Sequence, residues 1–211
     1  MKKFFRPLGL AVSLLAVTFV AHGATAVIAA SPEEAKPLAV GAHAPGITLT
    51  DMAGAKLDLA KAFAEKPTVL VFYRGSWCPF CNRQLAALGE LEPKLAELGY
   101  QILAVSPDTA EGLKKMAGKN HLTYRLLSDH AMDASLAYGT AFRVSAAMAQ
   151  SYQDHGVNLT PIPGGEGTWL PVPTVFIVGR DGVIKFVYSN PDYKVRLGTD
   201  TLLAAAQAAA K

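Results

Sequence analysis

Cysteine is scarce in this chain, since only Cys78 and Cys81 occur among its 211 residues. A framework of disulfides is therefore excluded, and a bridge between two residues so close together would restrain almost no chain. A zinc site needs about four ligands, and neither a second cysteine pair nor a histidine cluster supplies them. Asn82 stands where a haem-attachment motif requires His. We therefore predict no metal and no other cofactor.

An excess of charge of one sign is also lacking once the first residues are set aside. The chain has 20 basic and 17 acidic residues, and Lys2, Lys3 and Arg6 account for the whole difference. A neutral remainder has no electrostatic reason to seek nucleic acid or an anionic membrane surface. We therefore predict neither as a partner of the mature chain.

Residues 1–26 have the features of a secretory signal peptide. A basic start is followed by a largely apolar stretch over residues 8–20, and Ala24-Thr25-Ala26 matches a cleavage signature. We predict cleavage after Ala26, with Ala30 as the alternative position, a flexible mature N-terminus over residues 27–40, and a periplasmic or secreted protein. An uncleaved membrane anchor is the alternative interpretation.

The rest of the sequence alternates short apolar runs with amphipathic segments. Residues 68–73 and 102–106 are continuous apolar runs of the kind buried in a parallel sheet. Leucines at three- and four-residue steps predict a helix from Pro79 to Leu98. Further predicted elements are a hairpin within 46–59, a helix from 109 to 120, a strand over 124–128, a short helix over 134–142, a hairpin over 174–188 and a helix over 199–210.

Residues 143–170 lack periodicity and contain several Pro and Gly residues, which indicates an insertion or an active-site loop. The order of the other elements predicts one domain over residues 41–211. Its expected fold class is α/β with three layers, a central mixed β-sheet and helices on both faces.

The two cysteines lie in the run FYRGSWCPFC, residues 72–81, between a predicted strand and a predicted helix. Unpaired N–H groups at a helix N-terminus stabilise a thiolate at Cys78. Cys81 is within reach to close a disulfide with it. Pro79 falls at the first helical position, where its missing N–H costs nothing. The pattern predicts thiol–disulfide or thiol–peroxide redox chemistry.

Three features together resemble the thioredoxin-fold superfamily and, within it, the peroxiredoxin-like (AhpC/TSA) family. They are the motif over residues 77–81, the Val172-Pro173-Thr174 step into a strand, and the Asp181-Gly182 hairpin. The resemblance covers roughly residues 41–210 and implies a thioredoxin-like fold. It also implies that Pro173 is cis and faces the cysteines, at an edge that receives a substrate.

The sequence departs from both family patterns near the cysteines. Where peroxiredoxins have Phe-Tyr-Pro and then Thr-x-x-Cys, this chain has Arg74 in place of the Pro and Cys78 in place of the Thr. Cys81 therefore falls on the peroxidatic position. Phe72 stands where thioredoxins carry a buried Asp, and the Arg that many peroxiredoxins place before the late strand is missing, since residues 170–172 are Leu-Pro-Val.

Four further residues are candidates for substrate binding or thiol activation. Trp77 is expected to cover the disulfide, and Pro79 and Pro173 to flank it. Arg74 is expected to lower a thiol pKa or bind an oxyanion, with a solvated loop residue as the alternative. Tyr193 and Arg196 resemble a segment that recurs after the hairpin in peroxiredoxin-like proteins, with no role assigned.

The resemblance favours a peroxiredoxin-like antioxidant enzyme that reduces peroxides through a Cys78/Cys81 dithiol–disulfide cycle. An external thiol donor, such as a thioredoxin-like protein, would reduce the disulfide. The alternatives are an exported thioredoxin-like protein thiol–disulfide oxidoreductase and, more remotely, a redox-regulated binding module. We predict that Cys78 is the exposed nucleophile toward protein disulfides, with Cys81 shielded, and that Cys81 is the first site of peroxide attack.

Overall fold

The computed structural model describes residue 1 and residues 28–210. The signal peptide predicted over residues 1–26 falls, apart from residue 1, outside the described residues. In the part of the chain that the structure describes, no helix is long and apolar enough to cross a membrane.

Nine strands and six α-helices follow one another along residues 48–209. The strands are β1 (Thr48–Asp51), β2 (Lys56–Asp58), β3 (Thr68–Phe72), β4 (Gln101–Ser106), β5 (Arg125–Ser128), β6 (Ala141–Val144), β7 (Thr168–Pro171), β8 (Thr174–Val178) and β9 (Ile184–Ser189). The helices are α1 (Leu59–Glu65), α2 (Pro79–Glu97), α3 (Ala110–Asn120), α4 (Asp133–Ala137), α5 (Ala146–Asp154) and α6 (Thr199–Ala209).

Seven strands form one mixed sheet in the order β2-β1-β5-β4-β3-β8-β9. The central strands β3, β4 and β5 are parallel, and the strands outside them are antiparallel to their neighbours. Strands β6 and β7 form a separate two-stranded sheet. The mixed central sheet is the one predicted from the sequence.

The side chains of β3 show why the fold has three layers. Val69 and Val71, with Tyr73 directly after the strand, pack in the core that holds the leucines of α2 together with residues of α3 and α6. Leu70 and Phe72 point to the opposite face, where they pack with residues of α1 and α4. Because neighbouring residues of a strand face opposite sides, a continuous apolar strand requires helices on both faces.

The N-terminal segment corrects one expectation. We expected residues 27–40 to be flexible, but residues 28–40 lie against the domain. The Ala29 backbone N–H donates to the Ala141 carbonyl at 3.3 Å, and the Leu38 N–H donates to the Tyr138 carbonyl at 3.1 Å. The segment is held because it pairs with β6 and packs Leu38 on the core around Phe72.

Two other expectations also differ from the structure. The helix predicted over residues 134–142 ends at Ala137, because Gly139 turns the chain with φ +69° into β6. A side chain at Gly139 would clash with the Lys36 carbonyl. The irregular region 143–170 contains α5 and β7, and α5 escaped prediction because it buries none of its residues and so lacks an apolar period.

Candidate active site

Cys78 is the N-cap residue of α2, as the sequence predicts. The Cys81 backbone N–H donates to Cys78 Sγ at an N–S distance of 3.4 Å. Pro79 occupies the first helical position, where the backbone N–H that proline lacks would have no acceptor within the helix. Both cysteines are free thiols, and both side chains are fully buried. The burial of Cys78 corrects the expectation that it is exposed.

Two polar side chains, the half-buried Asp108 and the buried Asn82, fix the loop between β3 and α2. Asp108 accepts hydrogen bonds from the Ser76 backbone N–H at 2.8 Å and from the Ser76 hydroxyl at 3.2 Å. Asn82 donates its side-chain amide to the carbonyls of Ser76 and Cys78, at 2.9 and 2.8 Å. The Asn120 amide in turn donates to the Asn82 oxygen at 2.9 Å. Asp108 and Asn82 therefore hold in place the loop that leads to the cap residue Cys78.

Arg74 is buried beside the cysteines, with 4% of its surface exposed. Its guanidinium carbon lies 4.9 Å from the ring centroid of Trp77, 5.4 Å from that of Tyr152 and 3.9 Å from that of Tyr193. It donates a hydrogen bond to the Tyr152 hydroxyl. Within residues 28–210 no carboxylate forms an ion pair with it. A buried cation without a carboxylate favours an anion nearby, and a Cys78 thiolate provides one.

A second guanidinium contacts the other sulfur. Arg196 Nη2 lies 3.4 Å from Cys81 Sγ, and its Nη1 donates to the Gln84 side-chain oxygen at 2.7 Å. Its Nε donates to the Tyr193 carbonyl at 2.7 Å, which fixes its direction. The sequence has no arginine directly before β8, and the arginine that contacts the Cys81 sulfur follows β9 instead.

The surroundings give the two thiols opposite acidities. The pKa of Cys78 is lowered to about 6, first by the hydrogen bond from the Cys81 thiol and then by the Cys81 N–H and the charges of Arg74 and Arg196, against the effect of burial. The pKa of Cys81 is raised, because burial and the hydrogen bond with Cys78 favour its protonated form. The surroundings therefore favour the thiolate at Cys78 and the protonated thiol at Cys81.

This acidity has a direct pH signature. Only the thiolate is alkylated, so the rate of Cys78 modification by iodoacetamide is expected to rise through about pH 6 and to level off above it. Mass spectrometry of the peptide that holds both sulfurs, with fragment ions assigning the label, measures the rate. A rate that continues to rise through an ordinary thiol pKa of about 8.5 would contradict the assignment.

A cavity of about 380 Å³ opens onto Cys78. Among its lining residues are Arg74, Trp77, Pro79 and Tyr152, whereas Cys81 does not line it. Three of the predicted substrate-binding residues thus meet at Cys78.

Pro173, the fourth predicted substrate-binding residue, does not line this cavity. It precedes Thr174, which pairs with Phe72 at the end of β3. No peptide bond in the described chain is cis, so the bond before Pro173 is trans, as is the default for the peptide unit. The cis bond expected from the resemblance is therefore wrong.

Several residues of the site were not found from the sequence. Tyr152 lies in the region that the sequence predicts to be an insertion or a loop, where a Ser145 cap is the available signal for α5. Asp108 and Asn82 act by hydrogen bonding to the backbone of the loop between β3 and α2. No local sequence motif reveals such contacts. Arg196 belongs to a segment that resembles one recurring in peroxiredoxin-like proteins, but its contact with a sulfur depends on the tertiary fold.

The sequence is similar to known redox proteins. The sequence model of the AhpC/TSA family matches residues 40–187. A chloroplastic peroxiredoxin Q of Sedum lineare is 27% identical over 150 residues, which cover 71% of this chain and 68% of that protein. The chain spans 58% of the length of the matching Triticum aestivum protein. A thiol-disulfide oxidoreductase ResA of Bacillus thuringiensis (strain Al Hakam) is 29% identical over 145 residues, covering 69% of this chain and 66% of that protein.

Solved structures support the same fold. A peroxiredoxin Q of Xanthomonas campestris has a TM-score of 0.63 at 21% identity, covering 82% of this chain and 98% of that one. The peroxidoxin BcpB of Mycobacterium tuberculosis has a TM-score of 0.62 at 22% identity, covering 80% and 96%. With the sheet order and the layers, these likenesses confirm the predicted thioredoxin-like fold. Because the family model matches well over half of the sequence, the chain belongs to the AhpC/TSA family.

Proposed function

We propose that this protein is a thiol peroxidase that reduces peroxides through a Cys78/Cys81 dithiol–disulfide cycle. One observation carries the proposal: the sulfur with the lowered pKa, Cys78, lines the cavity beside the buried Arg74, and the protonated Cys81 lies directly behind it. The family and its peroxiredoxin Q relatives support this oxidoreductase chemistry.

The chemistry follows from the positions of these groups. The Cys78 thiolate attacks one peroxide oxygen, the O–O bond breaks, and the second oxygen leaves as hydroxide or alkoxide and takes up a proton. Arg74 stabilises the negative charge that moves onto this leaving oxygen. The Cys78 sulfenic acid then condenses with the Cys81 thiol, which releases water and forms the disulfide.

This mechanism reverses our expectation that Cys81 is attacked first. The peroxiredoxin register favoured Cys81, but its raised pKa leaves it protonated, and the cavity reaches Cys78. A protonated thiol is a poor nucleophile, whereas it is well suited to resolve a sulfenic acid that forms next to it.

Two assays on the same preparation test the function. With hydrogen peroxide and dithiothreitol in excess, we expect peroxide consumption well above the rate of dithiothreitol alone. Reduction of insulin disulfides is expected to be much slower, because the buried Cys78 admits a small peroxide more readily than a protein disulfide. Rapid insulin reduction without peroxide consumption would reject the peroxidase in favour of protein disulfide exchange.

Protein disulfide exchange is the second candidate function. It is favoured by the Cys-x-x-Cys pair at a helix N-terminus and by the ResA relatives at 25% to 29% identity. In that case Cys78 would form the mixed disulfide and Cys81 would release it. A redox-regulated binding module is a third possibility, which no contact described above favours.

We further infer that the mature protein works outside the cytoplasm and receives electrons from an external thiol donor. Export is supported by the composition of residues 1–26, and the need for a donor follows from the disulfide that each turnover leaves. N-terminal sequencing of protein recovered from a bacterial periplasmic fraction is expected to begin at Val27. Protein with an intact Met1 in the soluble fraction would contradict export.

A further inference from the structure

A second cavity, of about 350 Å³, lies on the Cys81 side of the site. It is bounded by α2, the segment after β9, and the beginning of α6. Its charged lining residues are Arg83, Lys194 and Arg196, and its apolar wall includes Leu88, Val175 and Leu202. No acidic residue lines it, although Asp192 and Asp200 lie nearby in the sequence.

The three cations of this cavity have no carboxylate partners. Within residues 28–210, none of them forms an ion pair. Arg83 instead lies over the Phe80 ring, with its guanidinium carbon 4.5 Å from the centroid, and Lys194 lies 5.9 Å from the centroid of Tyr193. Three unpaired cations around an apolar wall favour an organic anion over an inorganic one, since both its charge and its carbon chain find partners.

Arg196 connects this cavity to the dithiol. The same guanidinium lines the cavity and lies 3.4 Å from Cys81 Sγ. The cavity at Cys78 is a different one, and the two share only Phe80 among their lining residues. Cys81 does not line this cavity, so an anion bound here lies next to the guanidinium that contacts the resolving sulfur, and away from the entry of the peroxide.

We propose that this cavity binds the carboxylate of a thiol reductant, so that the enzyme selects small thiols of negative charge. The inference rests on the proposed function, because it concerns the disulfide that the peroxidase forms. The reductant thiolate attacks Cys81 Sγ, the Cys78–Cys81 bond breaks, and Cys78 leaves as a thiolate. A second reductant thiol then attacks the mixed disulfide, which frees Cys81 and releases the oxidised reductant as its own disulfide.

The test measures reduction of the preformed disulfide and therefore needs no peroxide. The full chain is oxidised with diamide, and the appearance of free thiols is followed after mixing with mercaptopropionate or cysteamine, which share a two-carbon spacer and differ in charge. The ratio of the two rates is compared between the wild type and an Arg83→Gln/Lys194→Gln variant, so that the intrinsic reactivities of the thiols cancel.

We expect the ratio of the mercaptopropionate rate to the cysteamine rate to fall by about fivefold in this variant, as for the loss of two exposed charge interactions. A Lys56→Gln/Lys61→Gln variant, which removes two cations from β2 and α1, is expected to keep the wild-type ratio. In the wild type, added salt is expected to lower the mercaptopropionate rate and not the cysteamine rate.

Two outcomes overturn the inference. An unchanged ratio in the Arg83→Gln/Lys194→Gln variant excludes a carboxylate site at the cavity, and an equal fall in the control variant assigns the selectivity to net charge. If diamide forms no Cys78–Cys81 disulfide, the proposed function fails as well. If the disulfide forms and the ratio does not change, only the reductant site is rejected.

Discussion

Replacement of Cys78 by serine is expected to lower peroxide turnover by more than about 10³-fold, because it removes the nucleophile of the reaction. Serine has nearly the same size and cannot ionise near neutral pH, so the N-cap geometry is retained while the thiolate is lost. Peroxide consumption with dithiothreitol in excess measures the effect. Thermal unfolding of the variant shows whether the fold is intact.

The matched variant is Cys81→Ser, which removes the resolving thiol. We expect it to consume one equivalent of peroxide rapidly and then to turn over slowly, since Cys78 is oxidised to a sulfenic acid that has no neighbouring thiol. Rapid consumption of one equivalent by Cys78→Ser, together with an inactive Cys81→Ser, would exchange the two roles.

Replacement of Arg74 by methionine is expected to lower turnover on the order of 10²-fold, the cost of losing one donor to developing charge in a buried site. The methionine fills much of the space of the arginine stem and removes the charge among Trp77, Tyr152 and Tyr193. The pKa of Cys78 is expected to rise, because Arg74 contributes to its lowered value.

Two further variants separate the charge of Arg74 from its shape. Arg74→Lys is expected to recover part of the rate, since an ammonium keeps the charge but cannot stack in a flat arrangement between rings. Arg125→Gln removes an exposed arginine of β5 and is expected to behave as the wild type. If Arg74→Met keeps both the rate and the pH profile of the wild type, Arg74 has only a packing role.

Much of the fold follows from local sequence patterns. The apolar runs of β3 and β4 and the leucine spacing of α2 are strong periodic signals, and all three elements occur where they were predicted. Both hairpins were also predicted, because each has turn residues between short strands. The position of Cys78 at the cap of α2 follows from the same local signals.

The rest of the site depends on contacts between distant parts of the chain. Tyr152 reaches Trp77 from α5, with the ring centroids 5.0 Å apart, and α5 has no buried residue to give it a period. Arg196 reaches Cys81 across 115 positions of sequence. The proposed order of the two sulfurs toward peroxide differs from the order expected from the sequence, because it rests on the surroundings of each thiol and on cavity access, which are properties of the folded chain.

The assignment of the attacking sulfur is tested most directly by trapping the first oxidised cysteine. Cys78→Ser and Cys81→Ser proteins are each treated at neutral pH with one equivalent of hydrogen peroxide and a sulfenic-acid reagent, and the adducts are located by mass spectrometry. The structure predicts rapid labelling of Cys78 in the Cys81→Ser protein and little labelling of Cys81 in its counterpart. Faster labelling of Cys81 than of Cys78 would contradict the account.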